Sequence, residues 1–123
     1  MKALIVDDSA AMRLILGELV AGHGFEVREA ADGREALSIL EEERVPELAL
    51  VDWNMPGLNG LDIIRTVRSE SRYEGMRLLV VTSEAGLQHM QDAVAAGADE
   101  YLMKPFSSEA LESKLALLGL SYS

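Results

Sequence analysis

Five apolar runs recur along the chain, at residues 3–6 (ALIV), 25–29 (FEVRE), 48–51 (LALV), 78–81 (LLVV) and 101–103 (YLM). Each is followed by a stretch in which apolar residues return at helical spacing, so the pattern predicts five strand–helix units. After the first strand, Met12, Ile15, Leu16, Leu19 and Val20 form one stripe, and Gly22 and Gly24 close the helix. After the second, Asp32 with Glu35 three residues on predicts a capping box. Ala36, Leu37 and Leu40 then face the core, and the glutamates at 41–43 face water. The third helix starts near Asn59 and buries Leu61, Ile64 and Val67. The fourth carries Leu87, Met90 and Val94 before Gly97, and the fifth carries Leu111, Leu115 and Leu118.

Alternating strands and helices imply an α/β fold: a doubly wound parallel sheet with right-handed crossovers and helices on both faces. Runs 1, 3 and 4 are continuously apolar, as strands covered on both faces should be. In run 2, Phe25 and Val27 alternate with Glu26 and Arg28, and run 5 is flanked by Glu100 and Lys104, so these two are assigned to the edges. The order 2-1-3-4-5 satisfies this and puts a switch point between strands 1 and 3. Ligands of such sheets bind there, at the carboxyl ends of the strands. No linker or repeat interrupts residues 1–123, which are read as one domain.

Composition narrows the classes of function. The longest apolar runs are far too short to span a membrane, and the start MKALIVDDS reaches two aspartates too soon for a signal peptide. There is no cysteine, hence no disulfide or thiolate metal site, and a cytoplasmic location is expected. The net charge of -10, from 14 Glu and 7 Asp against 11 Lys and Arg, argues against direct nucleic-acid binding, which needs a basic footprint.

The predicted carboxyl edge gathers a distinctive set of groups. Strand 1 ends in Asp7-Asp8, strand 3 in Asp52, strand 4 in Thr82-Ser83 and strand 5 in Lys104-Pro105. Two carboxylates about 5 Å apart repel by roughly 3 kcal/mol at an effective dielectric near 20. A hard divalent cation with oxygen ligands offsets that, and Mg²⁺ suits two or three carboxylates. A carboxylate nucleophile forming an aspartyl phosphate fits these parts. Asp52, alone on the middle strand, is the nucleophile candidate, and Asp7 and Asp8 are placed to hold the metal. Lys104 and Thr82 would take phosphoryl oxygens.

At these residues the chain resembles the receiver domains of two-component response regulators, and within them the stand-alone CheY-like chemotaxis regulators. The resemblance spans essentially the whole chain and rests on VDDS, VDWNMPGLNG, VVTSE and YLMKPF, four motifs in order. One departure is GLNG after Pro56, where an aspartate commonly precedes the glycine. The order 2-1-3-4-5 is that of this family's flavodoxin-like fold. The resemblance implies that Asp52 is the phosphoacceptor and that Asp7, Asp8, Asp52 and the backbone carbonyl of Asn54 hold Mg²⁺. It implies that Thr82 and Lys104 bind the phosphoryl group, with Lys104-Pro105 cis. Asn54 and Glu84 fall where the family tunes dephosphorylation, and Tyr101 at its switch aromatic. The implied partners are a sensor histidine kinase or histidine phosphotransferase and a downstream protein, for which the chemotaxis members suggest the flagellar motor switch. The face of helix 4, strand 5 and helix 5 (residues 84–96, Tyr101 and 107–118) would bind it.

Read singly, Ser9 caps the first helix, Thr82 is a β-branched strand end, Lys104 a solvated edge residue and Tyr101 an edge-strand aromatic. His23 and His89 have no partners at ligand or catalytic spacing, and Met55 and Met90 read as packing residues. The functional case is the joint pattern. The alternative is an aspartate-nucleophile phosphatase, which would carry a second Asp two residues past the first; here that position is Asn54. A flavodoxin-like cofactor binder would need an uncharged phosphate loop after strand 1, where two carboxylates stand. The protein is therefore expected to be no enzyme beyond its own phosphorylation and dephosphorylation.

Overall fold

In the computed structural model, five parallel strands form one sheet in the order β2-β1-β3-β4-β5. They are β1 (Lys2–Val6), β2 (Glu26–Ala30), β3 (Leu48–Asp52), β4 (Arg77–Thr82) and β5 (Glu100–Met103). Between and after them run α1 (Ala10–Ala21), α2 (Gly33–Glu42), α3 (Gly60–Arg68), α4 (Leu87–Ala96) and α5 (Ser108–Leu117), with a short 3-10 turn at Ser71–Tyr73. The structure describes residues 1–55, 57–83 and 87–120, with the backbone alone for Leu87 and His89. The expectations placed on Pro56, Glu84 and the side chains of Leu87 and His89 lie outside the described residues. Among the described residues no helix is long and apolar enough to cross a membrane.

The period-2 alternation of strand side chains splits the core into two layers. Ala3, Ile5, Leu48, Leu50, Leu79, Val81 and Leu102 point to one face, covered by Leu16 and Val20 of α1 and Leu111 and Leu115 of α5. Leu4, Val6, Ala49, Val51, Leu78, Val80 and Tyr101 point to the other, under α2, α3 and α4. β1 and β3 are buried throughout, whereas β2 exposes Glu26, Arg28 and Glu29 and β5 exposes Met103. The charged strands are the edges, as their sequences require.

Helix starts follow local chemistry. The side chain of Ser9 caps α1 by accepting from the Met12 amide, and Ser107 caps α5. Asn59 and Asp62 form a complete capping box on α3. At α2 the box is displaced: Asp32 accepts from the Glu35 amide, but Glu35 accepts from Ala31, one residue before the cap.

Three packing expectations are corrected. Ile15 does not join the α1 stripe and is 48% exposed. The buried line runs through Leu16 and Val20, with Met12 and Leu19 packed beside it. Ile15 lies about 100° around the helix from Leu16, beyond the reach of the sheet. On α4, Val94 is 62% exposed and Met90 is also exposed, while Ala93 is fully buried. This helix packs its small residues inward, beside α3, whose Arg68 reaches the Gly97 carbonyl at 2.9 Å. Glu43, expected in water, closes the α2 end by pairing with Lys2 and with Arg28 at 2.6 Å. His23, for its part, lies 3.7 Å from Glu112.

Leu50→Ala should cost about 2–5 kcal/mol in urea unfolding, while Ile15→Ala should stay within about 0.5 kcal/mol of wild type. The hydrogen bond from Arg28, followed by that from Lys2, pulls the Glu43 carboxyl down to about 2. A depressed carboxylate stabilises the fold above its ordinary value of 4.5 and loses that contribution as pH falls toward 2. The melting-temperature gap between wild type and Glu43→Gln should therefore be full at pH 6 and close progressively between about pH 5 and 2.

Candidate functional site

The sheet register brings the strand ends together. Val6 of β1 pairs with Val51, so Asp7 stands beside Asp52 on adjoining strands about 4.8 Å apart. Asp52 pairs with Val81 and Thr82 with Met103, which places Thr82 and Lys104 on the next two strand ends. Asp7, Asp8, Asp52, Thr82 and Lys104 thus share one edge, as the strand order predicted.

Side-chain geometry makes this edge a pocket. Asp7 is 1% exposed and Asp52 7%, while Asp8 opens to solvent. One carboxylate oxygen from each of the three lies within 4.8 Å of the other two. Lys104 Nζ sits 3.0 Å from Asp7 Oδ2 and 3.8 Å from Asp52 Oδ1, bridging the two buried acids. Its backbone amide donates to the Thr82 carbonyl at 2.8 Å, and the Lys104-Pro105 bond is cis. The other oxygen of Asp7 accepts from the Ser9 amide at 2.9 Å, so Asp7 is held at both oxygens. Asp52 accepts a longer bond, 3.3 Å, from the Asn54 amide. Burial, with the Asp7 charge behind it, pushes the Asp52 carboxyl above its ordinary value against the pull of Lys104.

Of the other expected residues, the structure describes Thr82, Asn54 and Tyr101. Thr82 is fully buried at the β4 end. Asn54 is exposed just past Asp52. Tyr101 is buried in the α2–α4 layer, opposite Val80. Trp53 is buried in that same layer, because the chain alternates faces immediately after Asp52.

Two residues escaped the sequence reading. Gly60 opens α3 against the end of β3: a Cβ there would sit 2.6 Å from the Asp52 carbonyl oxygen and 2.9 Å from Trp53 Cα. Only glycine allows this approach, and its amide donates back to the Trp53 carbonyl. Arg13, on the first turn of α1, donates to the Asp7 carbonyl at 2.7 Å. Helical spacing from Ser9 was the one available hint of its direction.

The donor set fits a small hard cation. All three groups are carboxylates, and Mg²⁺ takes oxygen ligands about 2.0–2.1 Å away, hence about 3–4 Å from one another. Asp7, Asp8 and Asp52 would hold such an ion.

Such a sheet, with an acidic pocket and a lysine at its carboxyl edge, defines a class of α/β signalling modules. The model of the response regulator receiver domain matches residues 3–116, and the chain belongs to that family. Among its relatives, chemotaxis protein CheY1 of Helicobacter pylori is 39% identical, covering 96% of each chain. Chemotaxis protein CheY of Pseudomonas aeruginosa is 40% identical over 94% of this chain and 93% of its own. The solved structure of the Vibrio cholerae chemotaxis protein CheY4 superposes with a TM-score of 0.88 at 36% identity, covering 95% of this chain and 97% of the other. Receiver domains bind Mg²⁺ through an acidic pocket, and the corresponding group here is Asp7, Asp8 and Asp52.

A carboxyl with a raised value holds its proton more tightly folded than unfolded, so its charge destabilises the fold. That cost is absent below the ordinary value of 3.8 and grows as pH rises through the raised one. Asp52→Asn should therefore melt higher than wild type at pH 7 without metal, and the gain should vanish below about pH 3.8 in calorimetric scans.

Proposed function

We propose that the chain is a phosphoacceptor signalling protein that takes a phosphoryl group from a histidine kinase or histidine phosphotransferase onto Asp52. The observation that carries this reading is the bridge of Lys104 between Asp7 and Asp52 at the mouth of a three-carboxylate pocket. A carboxylate oxygen of Asp52 attacks phosphorus, the new O–P bond forms as the donor imidazole N–P bond breaks, and the leaving nitrogen keeps the electron pair. Asp7, Asp8, Asp52 and the Asn54 carbonyl would hold Mg²⁺, which when bound neutralises charge on the transferring phosphoryl oxygens. Lys104 Nζ, already within 3.8 Å of the nucleophile, neutralises another oxygen, and the Thr82 hydroxyl at the next strand end serves a third.

Turnover of an external substrate needs a general acid beside the nucleophile, and the side chain two residues past Asp52 is the amide of Asn54. The protein therefore acts as a switch whose only chemistry is its own phosphorylation and hydrolysis. Asn54 and Glu84 set the lifetime of the phosphorylated form. The phosphoryl group adds about -1.5 to -2 of charge, and Thr82 and Tyr101 transmit it to the face of α4, β5 and α5. Met90, Val94 and Met103 are exposed on that face, suited to an apolar partner surface. The similarity to chemotaxis regulators makes the flagellar motor switch, in the cytoplasm, the proposed target.

Acetyl phosphate with Mg²⁺ should add one phosphoryl group to the wild-type mass and alter the fluorescence of Trp53, the single tryptophan. Asp52→Ala should show neither change. A mass gain that persists in Asp52→Ala, or a wild type inert to Mg²⁺ and acetyl phosphate alike, rules the reading out.

A further inference from the structure

Asp7 lies one residue beyond the end of β1, where the ladder no longer holds the chain. Its amide still donates to the Ala30 carbonyl at 3.1 Å, the last tie to β2. Its carbonyl turns away from the sheet and is met by Arg13 Nη1 at 2.7 Å. Arg13 is itself anchored, because Nε donates to Glu29 Oε1 at 3.1 Å near the end of β2. The peptide joining Asp7 to Asp8 is planar, so holding its oxygen holds the plane from which both flanking Cα atoms depart and narrows the freedom of the chain that carries their side chains. Those two side chains are carboxylates of the acidic pocket.

We propose that Arg13 is a positioning residue for the pocket, clamping the Asp7–Asp8 peptide so that both carboxylates converge on one cation. This role rests on the reading of the pocket as a Mg²⁺ site. Arginine suits it because its planar fork presents Nε to Glu29 and Nη1 to the carbonyl in one fixed geometry, whereas a lysine ammonium carries its donors on a single atom at the end of a flexible stem and does not fix that geometry.

Charge and positioning have opposite signs here, which makes the role measurable. Arg13 is a cation close to a cation site. If its charge alone mattered, Arg13→Ala would tighten Mg²⁺ binding and Arg13→Lys would leave it unchanged. If Arg13 positions the ligands, both variants bind Mg²⁺ more weakly, by roughly tenfold for alanine, as for other residues that orient metal ligands from behind.

The experiment is a Mg²⁺ titration of Trp53 fluorescence in wild type, Arg13→Ala and Arg13→Lys, with circular dichroism as the check on folding. Weaker binding in both folded variants is the expected result. Should Arg13→Ala fail to fold, weaker binding in Arg13→Lys carries the same conclusion. Unchanged or tighter binding in Arg13→Lys overturns the role, as does tighter binding in Arg13→Ala. A wild type without any Mg²⁺ response overturns the pocket reading and the Arg13 role together, whereas a responding wild type with unaltered variants overturns the Arg13 role alone.

Discussion

The constraint on which the rest of the structure depends is the crowding of Asp7, Asp8 and Asp52 within 4.8 Å of one another. At that distance each pair repels by about 3 kcal/mol at an effective dielectric near 20, and two of the three are nearly buried. Lys104 offsets part of this by bridging the buried pair. It does so because its own strand lies two places from β3 and its amide is tied to Thr82. Three carboxylates against one lysine leave the pocket two positive charges short of balance, and burial, with the Asp7 charge behind it, raises the Asp52 carboxyl. A divalent cation, which receiver domains bind through an acidic pocket, would supply the charge that is wanting.

Holding like charges together requires a stiff frame, and the two-layer core supplies it. β1 and β3, which carry the acids, are the most fully buried strands, covered on both faces by leucine, isoleucine and valine. Each such side chain stabilises by about 1.5–3 kcal/mol relative to exposure. Beyond the strand ends the frame continues through backbone contacts, with Gly60 against Asp52 and Arg13 against Asp7. By contrast, α4 presents Met90 and Val94 to solvent and holds on through Ala93. The rigid elements sit under the chemistry, and the helix with exposed apolar residues lies on the face proposed to meet a partner.

The strand sequences carried most of the fold legibly. ALIV, LALV and LLVV have no polar face, so they had to be central, and Glu26, Arg28 and Glu100 marked the edges. From that order alone the pocket residues fell to one edge. Helix faces were less legible. Ile15, Met90 and Val94 are as apolar as the residues that were buried, and periodicity tolerates either neighbour on a helix. Only the position of each helix over the sheet decided which went inward. Glu43 escaped for a related reason: its partners, Lys2 of β1 and Arg28 of β2, come from other elements.

The sequence by itself determined the strand order and the identities of the acids, the hydroxyl and the lysine at the carboxyl edge, because those follow from local patterns that need no distances. Tertiary structure alone decided that Lys104 bridges Asp7 and Asp52, that Gly60 must lack a side chain and that Arg13 reaches the Asp7 carbonyl. Each of these is a contact between atoms of different elements. Its existence depends on how closely two packed elements approach, a quantity set by the whole core rather than by any one stretch of chain.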